Sequence, residues 1–137
     1  MIIAGSQEFT RKYRLVTAAD YRRVFARAKK LNNRCLTVLI RENDKGYPRL
    51  GLAISRKNTK NAVQRNTVKR LIREAFRRNR QALGSCDLVF LARPALSARS
   101  RRELVRAVDE IYKKLSDAKS TDVSHSGLPP GNQPVSG

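Results

Sequence analysis

Ser55 to Arg80 reads SRKNTKNAVQRNTVKRLIREAFRRNR and carries ten Lys or Arg against a single acid, Glu74. Within it Val68, Leu71, Ile72, Ala75 and Phe76 recur at i, i+3, i+4, i+7 and i+8, the spacing of one buried stripe on an α-helix. Projected at about 100° per residue, these five fall in one arc of roughly 140°. Asn66, Lys69, Arg70, Arg73, Arg77 and Arg80 fill a second arc of roughly 100°, with Arg65 on the border. The spacing predicts a helix over 61–80, capped by Asn61, that pins one side to a core and holds cations about one turn apart on another. Like charges four apart on a helix repel by roughly a few tenths of a kcal/mol per pair. A charged face of mixed sign is ordinarily a solvated surface. One of a single sign points to a dense anion as partner, and nucleic acid fits it best.

The segments on either side say what this helix packs against. In Tyr47–Ser55, Leu50, Leu52 and Ile54 alternate with Gly51, Ala53 and Ser55, which predicts a strand with one core face and one face of small side chains. Arg34–Arg41 (RCLTVLIR) reads as a second strand, joined to it by a hairpin turn at Glu42–Gly46. The small-residue face, beside Thr37 and Leu39, suits either a closely packed helix or a shallow groove for an extended RNA strand, with Lys57 and Lys60 at its mouth. Downstream, Cys86–Ala92 (CDLVFLA) is a nearly continuous apolar run, the pattern of an inner strand. Arg93-Pro94 stops it.

Farther out the pattern is plainer. Thr17 with Asp20 resembles a capping box and opens a helix at about 17–28, with Tyr21, Val24, Phe25 and Ala28 on one stripe. By spacing alone the Tyr21–Phe25 pair fits core packing as well as an aromatic platform. Residues 1–16 read as an extended arm and Lys29–Asn33 as a basic connection. Ser100 and Glu103 form a second capping box, followed by Leu104, Val105, Val108, Ile111, Tyr112 and Leu115 as an ordinary core stripe. From Asp117 to Gly137 the composition is that of a disordered tail, so the folded domain is expected over 1–116.

The whole-chain quantities narrow the function classes. One domain of 137 residues with 40% hydrophobic content and a net charge of +19 is globular and strongly basic. It should bind a polyanion in a salt-sensitive way; acidic lipid is the other physical candidate. No run approaches the roughly 18 apolar residues of a membrane-spanning helix, and the first residues do not read as a signal peptide. Cys35 and Cys86 lack metal-site spacing and are expected to be buried thiols. His125, the only histidine, falls in the polar tail, so the folded part has none for acid–base work. Asp20, Glu42, Asp44, Glu74, Asp87 and Glu103 are scattered over different elements, an arrangement unsuited to a metal site.

Lys60-Asn61-Ala62-Val63, then Arg65-Asn66-x-x-Lys69-Arg70-x-x-Arg73-Glu74, follows Gly51-Leu52-Ala53-Ile54-Ser55-Arg56-Lys57. This order resembles the signature of the protein subunit of bacterial ribonuclease P, and the element order matches from about Arg11 to Leu115. The resemblance agrees with the element order of helix, strands, basic helix, strand and helix, which gives an α/β two-layer sandwich with a mixed sheet of about four strands and three helices. It also implies a left-handed βαβ crossover (ribosomal protein S5 domain 2-like), against the usual right-handed rule.

The same resemblance implies a role within an RNA-based endonuclease that removes the 5′ leader from precursor tRNA in the cytoplasm. The RNA subunit would carry catalysis, with Mg2+ bound mainly by RNA and none held tightly by the protein alone. Lys60, Asn61, Arg65, Asn66, Lys69, Arg70, Arg73 and Arg77 would contact the catalytic RNA. Tyr21, Phe25, Thr37, Leu39, Ala53, Ser55 and Lys57 would line a groove for the leader, raising substrate and metal-ion affinity. Partners would be that RNA and precursor tRNA, with no membrane. Many relatives carry an aromatic where this chain has Leu39, which weakens stacking there. Two rivals fit the composition: a ribosomal or other structural RNA-binding protein, and a free-standing nuclease, which the missing histidine and scattered acids disfavour.

Overall fold

The computed structural model describes residues 12–59 and 61–124. In chain order the elements are α1 (Ala18–Ala26), β1 (Lys29–Asn32), β2 (Leu36–Glu42), β3 (Arg49–Ala53), α2 (Ala62–Leu83), β4 (Cys86–Ala92), a 3-10 turn (Pro94–Ala98) and α3 (Arg101–Ser124). The four strands form one sheet in the order β1-β2-β4-β3. β1 and β2 are antiparallel, β2 and β4 are antiparallel, and β3 and β4 are parallel.

The sheet corrects the expected hairpin between the second and third strands. β4 lies between them, because its run from Cys86 to Phe90 is buried throughout and needs a neighbour on each edge and cover on each face. The 43–47 turn serves a different purpose. Ser85 Oγ donates to Asn43 O (2.8 Å) and accepts from Gly46 N–H (3.1 Å), so the turn folds over the start of β4 and delivers β3 to its far side. Gly46 sits at φ 87°, a conformation that favours glycine. Lys29–Asn33, expected as a connection, mostly becomes β1. A four-residue edge strand with one apolar side chain, Leu31, leaves almost no period in the sequence, and its lysines are typical of protected sheet edges. Beyond β3, residues 13–15 add a short parallel bridge: Leu15 N–H donates to Leu50 O (2.9 Å) and Leu50 N–H to Tyr13 O (2.7 Å).

The two faces of the sheet are covered unequally. Leu36, Val38, Leu50, Leu88 and Phe90 meet Val68, Ile72 and Phe76 of α2 and Leu104, Val108, Ile111 and Leu115 of α3 in the main core. The opposite face has only a small cluster, Leu15, Val24 and Val89, with Tyr21, Leu39, Ala53 and Leu91 packed at its margin. Among the described residues α1 is the one helix on that side. The first turn of α3 has the capping box read from the sequence, with Ser100 N–H donating to Glu103 Oε1 (2.8 Å) and Glu103 N–H to Ser100 Oγ (3.2 Å). This helix runs past the expected boundary at 116 to Ser124. Cys35 and Cys86 are both buried, and burial pushes the Cys35 thiol pKa up.

Tyr112 ties the helical layer together. Its ring stacks on Phe90 (centroids 5.4 Å apart) and its hydroxyl donates to Ile72 O at 3.0 Å. Burial raises its pKa well above the ordinary value. The neutral form is therefore the folded one, and its contribution is fully present below the unfolded pKa of about 10 and lost as pH climbs toward the folded pKa. We predict that Tyr112→Phe lowers stability by about 1 kcal/mol near neutrality and flattens the alkaline fall in denaturation midpoint. An alkaline limb identical in both proteins would contradict this.

Candidate nucleic-acid interface

α2 forms because its cap and stripe agree. Asn61 Oδ1 accepts from Val63 N–H (2.8 Å) and Gln64 N–H (3.2 Å), and Val68, Ile72, Ala75 and Phe76 are buried as the spacing predicts. Asn66, Arg70, Arg73 and Arg77 are exposed, and Lys69 is partly so. Among the described residues no ion pair joins Lys69, Arg70, Arg73 or Arg77 to an acid. Arg78, by contrast, meets Asp109 at 3.6 Å, and the Arg80 guanidinium lies 5.0 Å from the Tyr13 ring centre. Arg65 is only partly available, because its Nη1 donates to Thr59 O at 2.8 Å and braces the loop ahead of the helix. Lys60 lies outside the described residues.

The exposed side of α3 shows what an ordinary charged surface looks like in this molecule. Arg101, Arg102, Arg106, Lys113 and Lys114 are interspersed with Glu103, Asp109, Glu110 and Asp117. That face is near neutral; the α2 face is not.

The second surface lies on the side of the sheet that α1 only half covers. Cross-strand register places Leu39, Val89 and Gly51 in one row and Thr37, Leu91 and Ala53 in the next. α1 and Leu15 close the first row. A Cβ on Gly51 would stand 2.8 Å from Tyr21 Cε1 and 2.9 Å from Leu15 Cδ1, so glycine is what lets that ring lie against the strand. Leu52 N–H donates to Tyr21 Oη at 3.2 Å, which fixes the ring further. Phe25, one turn on, is 50% exposed. The Thr37–Leu91–Ala53 row is only partly buried and leaves an open strip of sheet, the trough, beside Tyr21. Ser55 and Lys57 are exposed beyond its end.

The structure thus packs Tyr21, Leu39 and Ala53 on one cluster, with Thr37 paired to Leu91 in the adjoining row and Phe25 one helical turn beyond Tyr21, and it makes two corrections. Thr37 and Leu39 are not on a strand next to Ala53; β4 intervenes, and its Leu91 is a floor residue that the sequence reading missed. Gly51 belongs to the covered part and not to the open floor. Lys30 and Asn32 were also missed. They pair with Leu39 and Thr37 and share their face, but no strand had been expected there.

We predict that Gly51→Ala displaces the Tyr21 ring and lowers stability by about 1–2 kcal/mol, the usual cost of overpacking. Thermal melting measures the loss, and tyrosine fluorescence follows the ring. An unchanged melting temperature would show that the ring is loosely seated.

The two surfaces meet where the end of β3 leads into α2. There Lys57, Asn58, Asn61, Gln64, Pro94 and Ser97 line a polar cleft of about 410 Å3. Asn58 Nδ2 donates to Ala92 O at 2.8 Å, and Gln64 Nε2 faces the carbonyls of Leu96, Ser97 and Arg99 at 3.3 Å each. Arginine forks on one side suit phosphates, and the aromatic wall on the other suits unpaired bases. Among the described residues no group of three or more His, Cys, Asp or Glu is placed to hold a metal ion, and no helix is long and apolar enough to cross a membrane.

Comparison with known proteins gives a consistent result. Residues 9–116 match the family model described as Ribonuclease P. The chain is 40% identical over 114 residues to the ribonuclease P protein component of Nitrosococcus oceani, covering 80% of this chain and 96% of that one. It is also 40% identical over 127 residues to that of Chromohalobacter salexigens, covering 91% and 99%. Among solved structures, a Staphylococcus aureus RNase P protein mutant superposes with a TM-score of 0.73 at 27% identity, covering 81% of this chain and 94% of that one.

Proposed function

This chain belongs to the ribonuclease P protein family, and from that premise we propose how its two surfaces divide the work within the ribonucleoprotein. As a member it is a protein subunit of ribonuclease P and a partner of the ribonuclease P RNA. The cationic face of α2, with Asn61, Asn66, Lys69, Arg70, Arg73 and Arg77 and with Lys60 just before it, neutralises phosphates of that RNA. The trough holds the single-stranded 5′ leader of precursor tRNA: Tyr21 and Phe25 as its wall, Thr37, Leu39, Leu91 and Ala53 as its floor, Ser55 and Lys57 at its mouth. Arg65 serves the RNA face in part and the loop in part.

One observation supports this reading above the others. A basic face on which, among the described residues, Lys69, Arg70, Arg73 and Arg77 make no ion pair with an acid lies near the cleft at Lys57 and Asn61, and an open strip of sheet with an exposed aromatic edge lies beyond it. The first favours a phosphate-dense partner and the second one unpaired strand. With the leader and the RNA held by one scaffold, binding energy from a remote part of the substrate is available to position the scissile bond. Stacking on Tyr21 and Phe25 is tolerant of sequence, and the aliphatic Leu39 adds little to it.

The chain's residues perform no proton transfer in this account. Mg2+ bound mainly by the RNA would supply the activation of the attacking water and the stabilisation of the leaving oxygen in the holoenzyme. Among the described residues Asp20 and Asp87 are both engaged by Arg49. The reaction takes place in the cytoplasm.

The test compares holoenzyme affinity for precursor tRNA with a long leader and for leaderless tRNA. Because Phe25 is half exposed, Phe25→Ala leaves the core alone. It should weaken leadered substrate by about tenfold, within the roughly 1–3 kcal/mol of one base stack, and spare leaderless tRNA. Equal loss for both would contradict a leader role.

A further inference from the structure

α1 presents an anchoring problem. It has nine residues, of which Val24 alone is buried, and an isolated helix of that length is unstable in water. Polar contacts compensate. At its start Thr17 Oγ1 accepts from Asp20 N–H (3.1 Å). Toward its end Arg41 Nη1 donates to Arg23 O (2.7 Å). Between them the Asp20 carboxylate lies 3.5 Å from Arg49 Nη2 and 3.8 Å from Arg23 Nη2.

Arg49 is itself fixed. It is 8% exposed, and its Nε and Nη2 grip the two oxygens of Asp87 at 2.9 Å each, while Asn43 Nδ2 donates to Asp87 Oδ1 at 2.7 Å. Arg41, Asp87 and Arg49 form one cross-strand row on the face that α1 crosses. Apolar contacts alone would let a short helix slide. A charged row beneath it selects one position.

We propose that Asp20 is a positioning residue for the leader: through Arg49 it locks α1 across the sheet, so that Tyr21 and Phe25 stay at the edge of the trough. This rests on the trough being the leader site. Asp20 and Arg49 touch no nucleotide in this account, and Asp20 faces Arg49 of β3 and Arg23 of its own helix. Burial works against the Asp20 carboxylate, but hydrogen bonds from Thr17 and the Arg49 charge outweigh it and hold its pKa below the ordinary value. It is therefore ionised at any pH where the RNA partner is handled.

The experiment uses reconstituted holoenzyme and four proteins: wild type, Asp20→Asn, Tyr21→Ala/Phe25→Ala, and the triple combination. Dissociation constants are measured for leadered precursor tRNA and leaderless tRNA. Asp20→Asn leaves the Arg49–Asp87 fork in place. It should weaken leadered substrate about three- to tenfold, leave leaderless tRNA unchanged, and add nothing once both aromatics are gone, because coupled residues give non-additive losses. Amide exchange over 18–26 in the free protein should quicken while the central strands keep their protection.

A merely structural role would weaken both substrates equally or persist without the aromatics, and either result overturns the proposal. Unchanged exchange in α1 overturns it as well. If Tyr21→Ala/Phe25→Ala keeps full leader discrimination, the trough reading fails and the proposal falls with it. If discrimination is lost there but kept in Asp20→Asn, only the positioning role fails.

Discussion

Asp87→Ala is expected to remove a large share of the protein's folding stability. The Asp87 side chain accepts two hydrogen bonds from the Arg49 fork and one from Asn43, with the residue 1% exposed. Its removal leaves a buried guanidinium that has lost its two-pronged partner and keeps, among the described residues, only the Asp20 carboxylate, 3.5 Å from Nη2, as counter-charge. Breaking a buried pair on one side typically costs about 3–5 kcal/mol, against a net stability of about 5–15 kcal/mol for an average domain. In the wild type the pair raises the Arg49 pKa, chiefly through its hydrogen bonds to Asp87; without Asp87 an arginine still keeps its proton at any working pH, so it cannot escape by becoming neutral. Denaturant titration followed by circular dichroism gives the result directly. Replacing both partners, as in Arg49→Met/Asp87→Leu, should recover much of the loss, since an apolar pair has no charge to strand. A loss below about 1 kcal/mol for Asp87→Ala would show that water reaches the site.

The other large effect concerns the RNA face. Arg70→Ala/Arg73→Ala/Arg77→Ala should weaken binding to the catalytic RNA by about two to three orders of magnitude, at roughly 1–1.5 kcal/mol per charged contact. The slope of log K against log salt should fall in magnitude by about two to three units, close to one per lost phosphate contact. Folding stability should hold or rise slightly. Arg70, Arg73 and Arg77 lie three and four residues apart on one helix face and repel one another when no anion is bound. A mutation that hurts binding while helping the fold is what distinguishes a face kept for a partner from one kept for structure. An unchanged salt slope would remove the phosphate role from these residues.

The basic helix was legible because two independent periods coincide in it. Val68, Ile72, Ala75 and Phe76 mark the buried side, the arginines mark the other, and Asn61 signals the start. The two faces of β3 were legible for the same reason, and Leu50, Leu52 and Ile54 do face the main core.

What did not show was pairing. A short link between two strand-like segments usually means a hairpin, and nothing local in 42–47 reveals that Ser85 will hold the turn and admit β4 between them. That insertion hid Leu91 from the trough, because the run CDLVFLA looks equally apolar on both faces. β1 was missed because one leucine in four residues carries no period. The buried Asp87–Arg49 pair was unreadable too, since its members are separated by 38 residues and each resembles a surface charge.

The most direct measurement of the account exploits the burial of both native thiols, Cys35 and Cys86. A photo-crosslinking probe placed on Ser55→Cys reports what lies at the mouth of the trough, and one on Asn66→Cys reports what meets the cationic face. In holoenzyme bound to leadered precursor tRNA, the Ser55 probe should label leader nucleotides and the Asn66 probe the catalytic RNA. If both label the same stretch of RNA, or the Ser55 probe never reaches the leader, the division of labour between the two surfaces is wrong.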